Sequence, residues 1–73
     1  MENRIIFNPK IFQGKPIIKG TRISVEFILE LLASGMHSEE IVEEYPQLKL
    51  RDIQAAIEYA ARTVKREEVV LAE

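Results

Sequence analysis

The sequence has no cysteine and no tryptophan, one histidine (His37), three glycines and three prolines. Without cysteine the chain forms neither disulfides nor thiolate metal sites, and a single histidine does not build a metal site. A chain of 73 residues has a marginal core unless a further link stabilises it. With disulfides and metals excluded, self-association is the expected link. We therefore predict a homodimer that carries no cofactor.

Long apolar runs are also missing. No run approaches the ~20 residues that cross a bilayer, and only three apolar residues follow Arg4, too few for a signal peptide. Yet 47% of the residues are hydrophobic, which is too many for a disordered chain. We expect one domain over residues 1–73 in the cytoplasm, without a membrane partner.

The sequence also lacks catalytic patterns. Gly14 and Gly20 belong to neither a GxGxxG motif nor a Walker phosphate loop. Acidic residues at helical spacing follow His37, namely Glu39, Glu40, Glu43 and Glu44. No histidine or loop completes a cation site there, so a solvated helix face is the favoured interpretation. The prediction is a protein that is not an enzyme and has no small-molecule substrate.

Charge is distributed unevenly along the chain. Residues 1–24 hold five Lys and Arg against one acid, whereas residues 25–73 hold five against eleven. Such asymmetry is typical of a basic arm that meets an anionic partner. Chance variation in a small protein is the alternative explanation.

Residues 1–23 are predicted to form a β-prone arm. Ile5-Ile6-Phe7 is a short β-prone run that Asn8-Pro9 interrupts. Farther on, Ile17-Ile18 and Thr21-Arg22-Ile23 indicate two very short strands about a tight turn at Lys19-Gly20, where Gly20 permits a positive φ. Two short strands are not stable alone. They must pack on the helices or pair with a second chain.

Residues 24–64 are predicted to form three helices. Ser24 is the expected N-cap of the first helix, and Gly35 is expected to close it. Ser38 is the expected N-cap of the second helix, with acids in its first turn. Pro46 ends that helix after about two turns.

The third helix is predicted to begin near Leu50. One long apolar stripe supplies its buried side, namely Ile53, Ala56, Ile57, Ala60, Ala61 and Val64. Residues 65–73 either continue this helix or form a mobile end that orders on a partner.

Apolar residues outside the buried stripes suggest a partner surface. Phe27 and Leu31 make the first helix apolar on a second side, which indicates either a dimer interface or a surface that the arm covers. The tail residues Val69, Val70 and Leu71 are further candidates for a dimer or partner interface.

A two-turn helix, a turn with proline and a longer helix form the outline of a helix-turn-helix. In that arrangement Lys49, Arg51 and Gln54 are candidates for reading bases from the third helix. The arm residues Lys15, Lys19 and Arg22 are candidates for holding phosphates. Asp52 and Glu58 lie beside these cations in the sequence, and their negative charges disfavour DNA binding. Three helices of this size also occur in domains that never touch nucleic acid.

The segment from Gly14 to Val25, GKPIIKGTRISV, resembles the G-x-P-x-I-x-G-T-R-[IV]-x-V signature of family 433 of the domains of unknown function. The similarity extends over about residues 5–63. Its later positions are Gly35, Glu40-Ile41, Tyr45-Pro46, Leu48, Asp52-Ile53, Ala55-Ala56 and Tyr59-Ala60.

This resemblance implies a mainly α, homeodomain-like helix-turn-helix core preceded by a short β-prone arm. It also implies an antitoxin of the VapBC type, which binds and neutralises a PIN-like ribonuclease toxin and represses its own operon by binding operator DNA. The alternative is a protein-interaction or dimerisation module of the same shape with no nucleic-acid role.

Two positions need comment within the resemblance. Arg22 matches the motif arginine, which either meets a phosphate or pairs with Glu26 to fix the arm. At the N-cap of the third helix, where such proteins often have Ser or Thr, this chain has Lys49. Because lysine cannot accept the orphan amide proton, we expect that helix start to be weaker by up to ~1 kcal/mol.

Overall fold

Two short strands precede three helices in this protein. The computed structural model describes residues 4–71, with side chains described for residues 4–65. The elements in chain order are β1 (Ile5–Phe7), β2 (Pro16–Ile18), α1 (Val25–Ala33), α2 (Ser38–Glu44) and α3 (Leu50–Leu71). The predicted class, mainly helical with a short amino-terminal hairpin, is confirmed.

The hairpin joins different segments from those predicted. β1 pairs antiparallel with β2, with Ile5 opposite Ile18 and Phe7 opposite Pro16. The predicted strand at Thr21–Ile23 is wrong, since only one isolated bridge, Ile17 to Ser24, continues beyond the turn. The sheet packs on the helices through Ile18, a member of the core, and Ile17 is buried as well, each being 1% exposed.

The hydroxyl of Thr21 explains why no strand follows the turn. It donates to the carbonyl of Ile18 at 2.9 Å and accepts from the N–H of Ile23 at 2.9 Å. Such local side-chain bonds occupy backbone groups that a strand ladder would use. Gly20, with φ of 83°, completes the turn, which the N–H of Thr21 closes on Ile18 at 3.0 Å.

We predict that Gly20→Val lowers the free energy of unfolding by about 1–2 kcal/mol, because a β-branched residue is strained at positive φ. Nothing lies within 4 Å of a Cβ built at Gly20, so the cost is conformational and not steric. Gly20→Asn is the matched control and should cost less, since asparagine tolerates this region. Urea denaturation measures both variants; equal stability of Gly20→Val and the parent chain would contradict the prediction.

The ends of α1 follow the sequence closely. The hydroxyl of Ser24 accepts from the N–H of Phe27 at 3.0 Å, as expected of an N-cap. At the other end Gly35 has φ of 106°. The N–H groups of Gly35 and Met36 donate to the carbonyls of Leu32 and Leu31. This double closure is a Schellman motif, which fixes where α1 stops.

The start of α2 differs by one residue from the prediction. His37 is the N-cap, and Ser38, predicted to be the cap, is the first helical residue. The carboxylate of Glu40 accepts from the N–H of His37 at 2.7 Å. Because this hydrogen bond satisfies the N–H of His37, as in a capping box, His37 and not Ser38 is the N-cap of α2. The helix ends before Pro46, as predicted.

The core joins β2 to all three helices. Its buried members are Ile18, Val25, Ile28, Ile41, Leu48, Ile53 and Ala56.

Of the two alternatives for the residues after 64, the structure shows a continued helix, because α3 runs to Leu71. Within residues 4–71 no helix combines the length and apolar character needed to cross a membrane.

The apolar stripe predicted for α3 is in fact two faces. Ile53 and Ala56 are buried, 1% and 0% exposed, and Ala60 is half-buried. In contrast Ile57, Ala61 and Val64 lie on the outer surface. The prediction that they are buried is wrong, because α1 and α2 are short and cover only one side of the 22-residue α3.

Candidate nucleic-acid interface

The amino-terminal end of α3 displays three of the predicted DNA-binding residues. Lys49, Arg51 and Gln54 are all exposed, whereas Asp52 between them is buried. The Nε2 group of Gln54 donates to the Glu58 carboxylate at 3.4 Å. A long bond between exposed groups is weak and readily exchanged. The structure therefore exposes all three candidates at the start of α3, with Lys49 just before the helix.

Asp52 points inward, away from the exposed cations. One carboxylate oxygen accepts from Nη1 of Arg4 at 2.8 Å, and the other accepts from the N–H of Lys49 at 2.9 Å. Its side chain is 5% exposed. The charge that counted against DNA in the sequence is thus buried and paired.

The same contact adds a hydrogen bond at the start of α3, where we expect a weaker helix start. Lys49, the residue before the helix, has no side-chain acceptor for the orphan amides. Asp52 instead accepts the N–H of Lys49, which is one half of a capping box. An acid in the first turn also complements the helix dipole. The helix start is therefore capped from within.

Arg4 is the residue that sequence reasoning missed. Its side chain is 24% exposed and reaches Asp52 from a position 48 residues earlier. Only the basic character of the arm was visible in the sequence, and nothing in the spacing pointed to Asp52. The contact fixes β1 beside the start of α3. Phe7 adds a second contact, with its ring centroid 6.3 Å from that of Tyr59.

Lys19 lies in the Gly20 turn and is exposed. Its N–H donates to the carbonyl of Arg4 at 2.8 Å. Since the side chain of Arg4 reaches Asp52, this turn is linked through one residue to the start of α3. Among the predicted phosphate-holding residues, Lys19 is thus the one that described contacts join to the start of α3.

Lys15 and Arg22 are exposed and belong to another surface. With Phe12, Phe27, Glu26 and Glu30 they line a groove of about 390 Å³ against α1, which no residue of α3 lines. Lys15 pairs with Glu26 at 3.0 Å, both side chains being more than half exposed. Among the described residues Glu26 therefore forms its ion pair with Lys15. The predicted alternative, a pair between Arg22 and Glu26, both of which the structure describes, is not formed. The six DNA-binding candidates therefore fall into two groups. One lies at or is linked to the start of α3, and the other, Lys15 and Arg22, lies in the groove against α1.

The first-helix candidates for a partner interface are half-buried in the chain itself. The ring of Phe27 meets that of Tyr45 edge-on at 5.5 Å, and Leu31 packs against the core. Their role with a partner stays a prediction. Val69, Val70 and Leu71 lie outside the residues whose side chains the structure describes.

A model of the family described as "Protein of unknown function (DUF433)" matches residues 5–60. The match covers more than half of the chain. The chain belongs to the DUF433 family.

Two proteins are similar to this chain, one of them a DUF433 member. The crystal structure of a DUF433 member protein from Anabaena variabilis superposes with a TM-score of 0.81 at 26% sequence identity, covering 99% of this chain and 71% of that one. Uncharacterized protein Rv2308 of Mycobacterium tuberculosis is 33% identical over 58 residues, which are 80% of this chain. The chain spans 24% of the length of that relative.

The DUF433 match begins one residue after Arg4 and stops inside α3. It contains Asp52 and all six DNA candidates, from Lys15 to Gln54. Residues 61–73 lie beyond it, including the exposed Ala61 and Val64.

Proposed function

We propose that this protein is an antitoxin-type DNA-binding protein, which binds and neutralises a PIN-like ribonuclease toxin and represses its own operon. In this proposal α2, the turn at Pro46 and α3 act as a helix-turn-helix, and the start of α3 enters the major groove. One observation carries the DNA role: Lys49, Arg51 and Gln54 are exposed while Asp52 between them is buried and paired.

The chemistry of the exposed residues suits base edges. Arginine and lysine donate to guanine, and glutamine pairs with adenine through both of its amide groups. Lys19, linked through Arg4 to this end of α3, is placed to hold a phosphate. Lys15 and Arg22 share their groove with Glu26 and Glu30. These acids offset their charge, so we assign them a smaller part in DNA affinity.

A protein-interaction module without a DNA role is the second candidate. An open groove of about 610 Å³ between α1 and α3 favours it, with apolar walls that include Leu29, Ala33 and Val64. Four exposed acids on α2 would also repel phosphates. The two candidates differ in whether nucleic acid binds at all.

A mobility-shift assay on the DNA just upstream of the protein's own gene tests the repressor role. We expect binding that weakens steeply with salt, because phosphate contacts release counterions. The assay is run with the protein alone and with a PIN-like ribonuclease encoded next to it. Absence of salt-sensitive binding in both conditions would overturn the repressor role.

The neutralising role has its own measurement. Ribonuclease activity of the neighbouring PIN-like protein should fall when this protein is added in equal amounts, and the two should elute together in gel filtration. Undiminished activity with separate elution would reject the antitoxin role and leave the DNA role to stand on its own assay.

A further inference from the structure

The outer face of α3 carries an apolar stripe formed by Ile57, Ala61 and Val64, here called the α3 stripe. Ile57 is 39% exposed and Val64 is 58% exposed, and Ala61 is exposed as well. The steps of four and three residues between them are those of a seam between two paired helices. Leu50, 51% exposed, lies seven residues before Ile57 on the same face.

The described part of the chain offers no cover for this face. The core uses the other side of α3, through Ile53 and Ala56. α1 has nine residues and α2 has seven, against 22 in α3. Because they pack on one side only, the α3 stripe remains open to solvent. Three exposed apolar side chains in register cost solubility unless another surface covers them.

We propose that the α3 stripe pairs with the α3 stripe of a second copy of this chain, with the two helices antiparallel. Ala61 then packs against the partner's Val64, and Val64 packs against the partner's Ala61. The small Ala61 allows close approach of the two backbones, and Val64 fills the space that it leaves. This surface differs from Phe27 and Leu31, which are half-buried within their own chain.

Charges beside the stripe select the antiparallel arrangement. Glu58 and Lys65 are exposed along one edge of the stripe. When the pair is centred between Ala61 and Val64, Glu58 of each chain lies beside the partner's Lys65. Sliding the pair so that Ala61 meets the partner's Ile57 would bring the two Glu58 side chains together, which is unfavourable. A parallel pair would leave Glu58 facing residue 53 of its partner, with no opposite charge.

The arrangement has a consequence for DNA, which rests on the proposed function. Arg51 lies about eleven residues from the centre of the pair, and α-helices rise about 1.5 Å per residue. The two Arg51 residues are therefore about 35 Å apart along the helices. Successive major grooves on one side of B-DNA are separated by about 34–36 Å. The spacing of the two Arg51 residues is thus similar to that of half-sites one turn apart, and the existence of the dimer is measured without DNA.

The oligomeric state of the full chain provides the main test. Analytical ultracentrifugation should show a dimer, and Val64→Glu should raise its dissociation constant at least tenfold, because it buries a charge in the seam. Leu50→Glu is the matched control. It alters the same face at similar exposure but lies beyond the overlap, so its dissociation constant should stay within about twofold. A monomeric parent chain, or equal effects of both variants, would overturn the proposal.

Exchange of charges tests the register. Glu58→Lys and Lys65→Glu should each weaken the dimer several-fold, whereas the double variant restores the opposite charges and should recover most of the affinity. Weakening that adds up in the double variant would contradict the antiparallel pairing. All of these positions are exposed, and circular dichroism confirms that each variant is folded.

Distances between spin labels decide the orientation directly. The chain has no cysteine, so a single introduced cysteine carries the only label. In the antiparallel dimer, labels at Leu50→Cys should be separated by about 37 Å along the helix axes. Labels at Arg62→Cys should be close together. In a parallel pair both sites would give equally short distances, and that result would reject the proposed geometry.

Discussion

Replacing Arg4 with alanine should lower the free energy of unfolding by about 2–3 kcal/mol. The variant leaves the Asp52 carboxylate buried without its guanidinium partner at 2.8 Å, and breaking a buried pair from one side is strongly destabilising. Because Arg4 is 24% exposed, the loss should fall below that of a fully buried pair. Thermal unfolding should show a melting temperature lower by roughly 10–20 °C.

Lys15→Ala is the matched control for the Arg4 variant. It removes a cation from an ion pair of similar length with Glu26, but both partners are more than half exposed. Exposed pairs contribute about 0.2–1 kcal/mol. The two losses should therefore differ by more than 1 kcal/mol. Equal losses would show that Asp52 does not depend on Arg4.

A double variant separates the ion pair from other effects of the truncation. Asp52→Asn removes the charge but keeps an oxygen that can accept the N–H of Lys49. In the Asp52→Asn background, Arg4→Ala should cost much less than in the parent chain, since no carboxylate is left unpaired. Strict additivity of the two variants would contradict a direct coupling of these side chains.

Features governed by neighbours in sequence could be predicted. Ser24 caps α1, Gly35 closes it and Pro46 follows α2, as expected from their local chemistry. The positive φ of Gly20 was expected for the same reason. Each depends on atoms within about four residues, and a single sequence contains that information.

Features that depend on distant residues could not be predicted. The sequence near β2 offered Thr21–Ile23 as the adjacent strand partner, and the actual partner is β1. The outcome depends on the hydroxyl of Thr21, whose bonds to Ile18 and Ile23 compete with a ladder. Likewise the contact between Arg4 and Asp52 spans 48 residues, and no periodicity reports such a pair.

The candidate interface was predicted in part. Spacing along α3 correctly indicated that Arg51 and Gln54 face outward. The same spacing merged Ile57, Ala61 and Val64 with the buried stripe, because residues three and four apart fit either edge of a wide apolar face. Only the lengths of α1 and α2 decide which edge is covered. Those lengths are tertiary information, and they distinguish the exposed α3 stripe from the buried face.

Reversing the charge of Arg51 should weaken operator binding by at least about tenfold per copy. A good arginine contact to a base contributes about 1–3 kcal/mol, and the introduced carboxylate adds repulsion from phosphates. Titration in a mobility-shift or fluorescence-anisotropy assay at fixed salt measures the loss for Arg51→Glu. Circular dichroism shows whether the variant is folded, since it alters an exposed residue.

Arg62→Glu is the control that links this loss to the start of α3. It makes the same change on the same helix, at another exposed position, three turns farther from the predicted groove contact. Because Arg62 lies near the centre of the proposed helix pair, the titration is run at protein concentrations at which ultracentrifugation shows a dimer. We then expect its operator affinity to stay within about threefold, and its salt dependence to match that of the parent chain. If Arg51→Glu and Arg62→Glu lost affinity equally, DNA would be responding to net charge alone. The assignment of base reading to the first turn of α3 would then be wrong, because a groove contact acts over a few ångströms and cannot be reproduced eleven residues away.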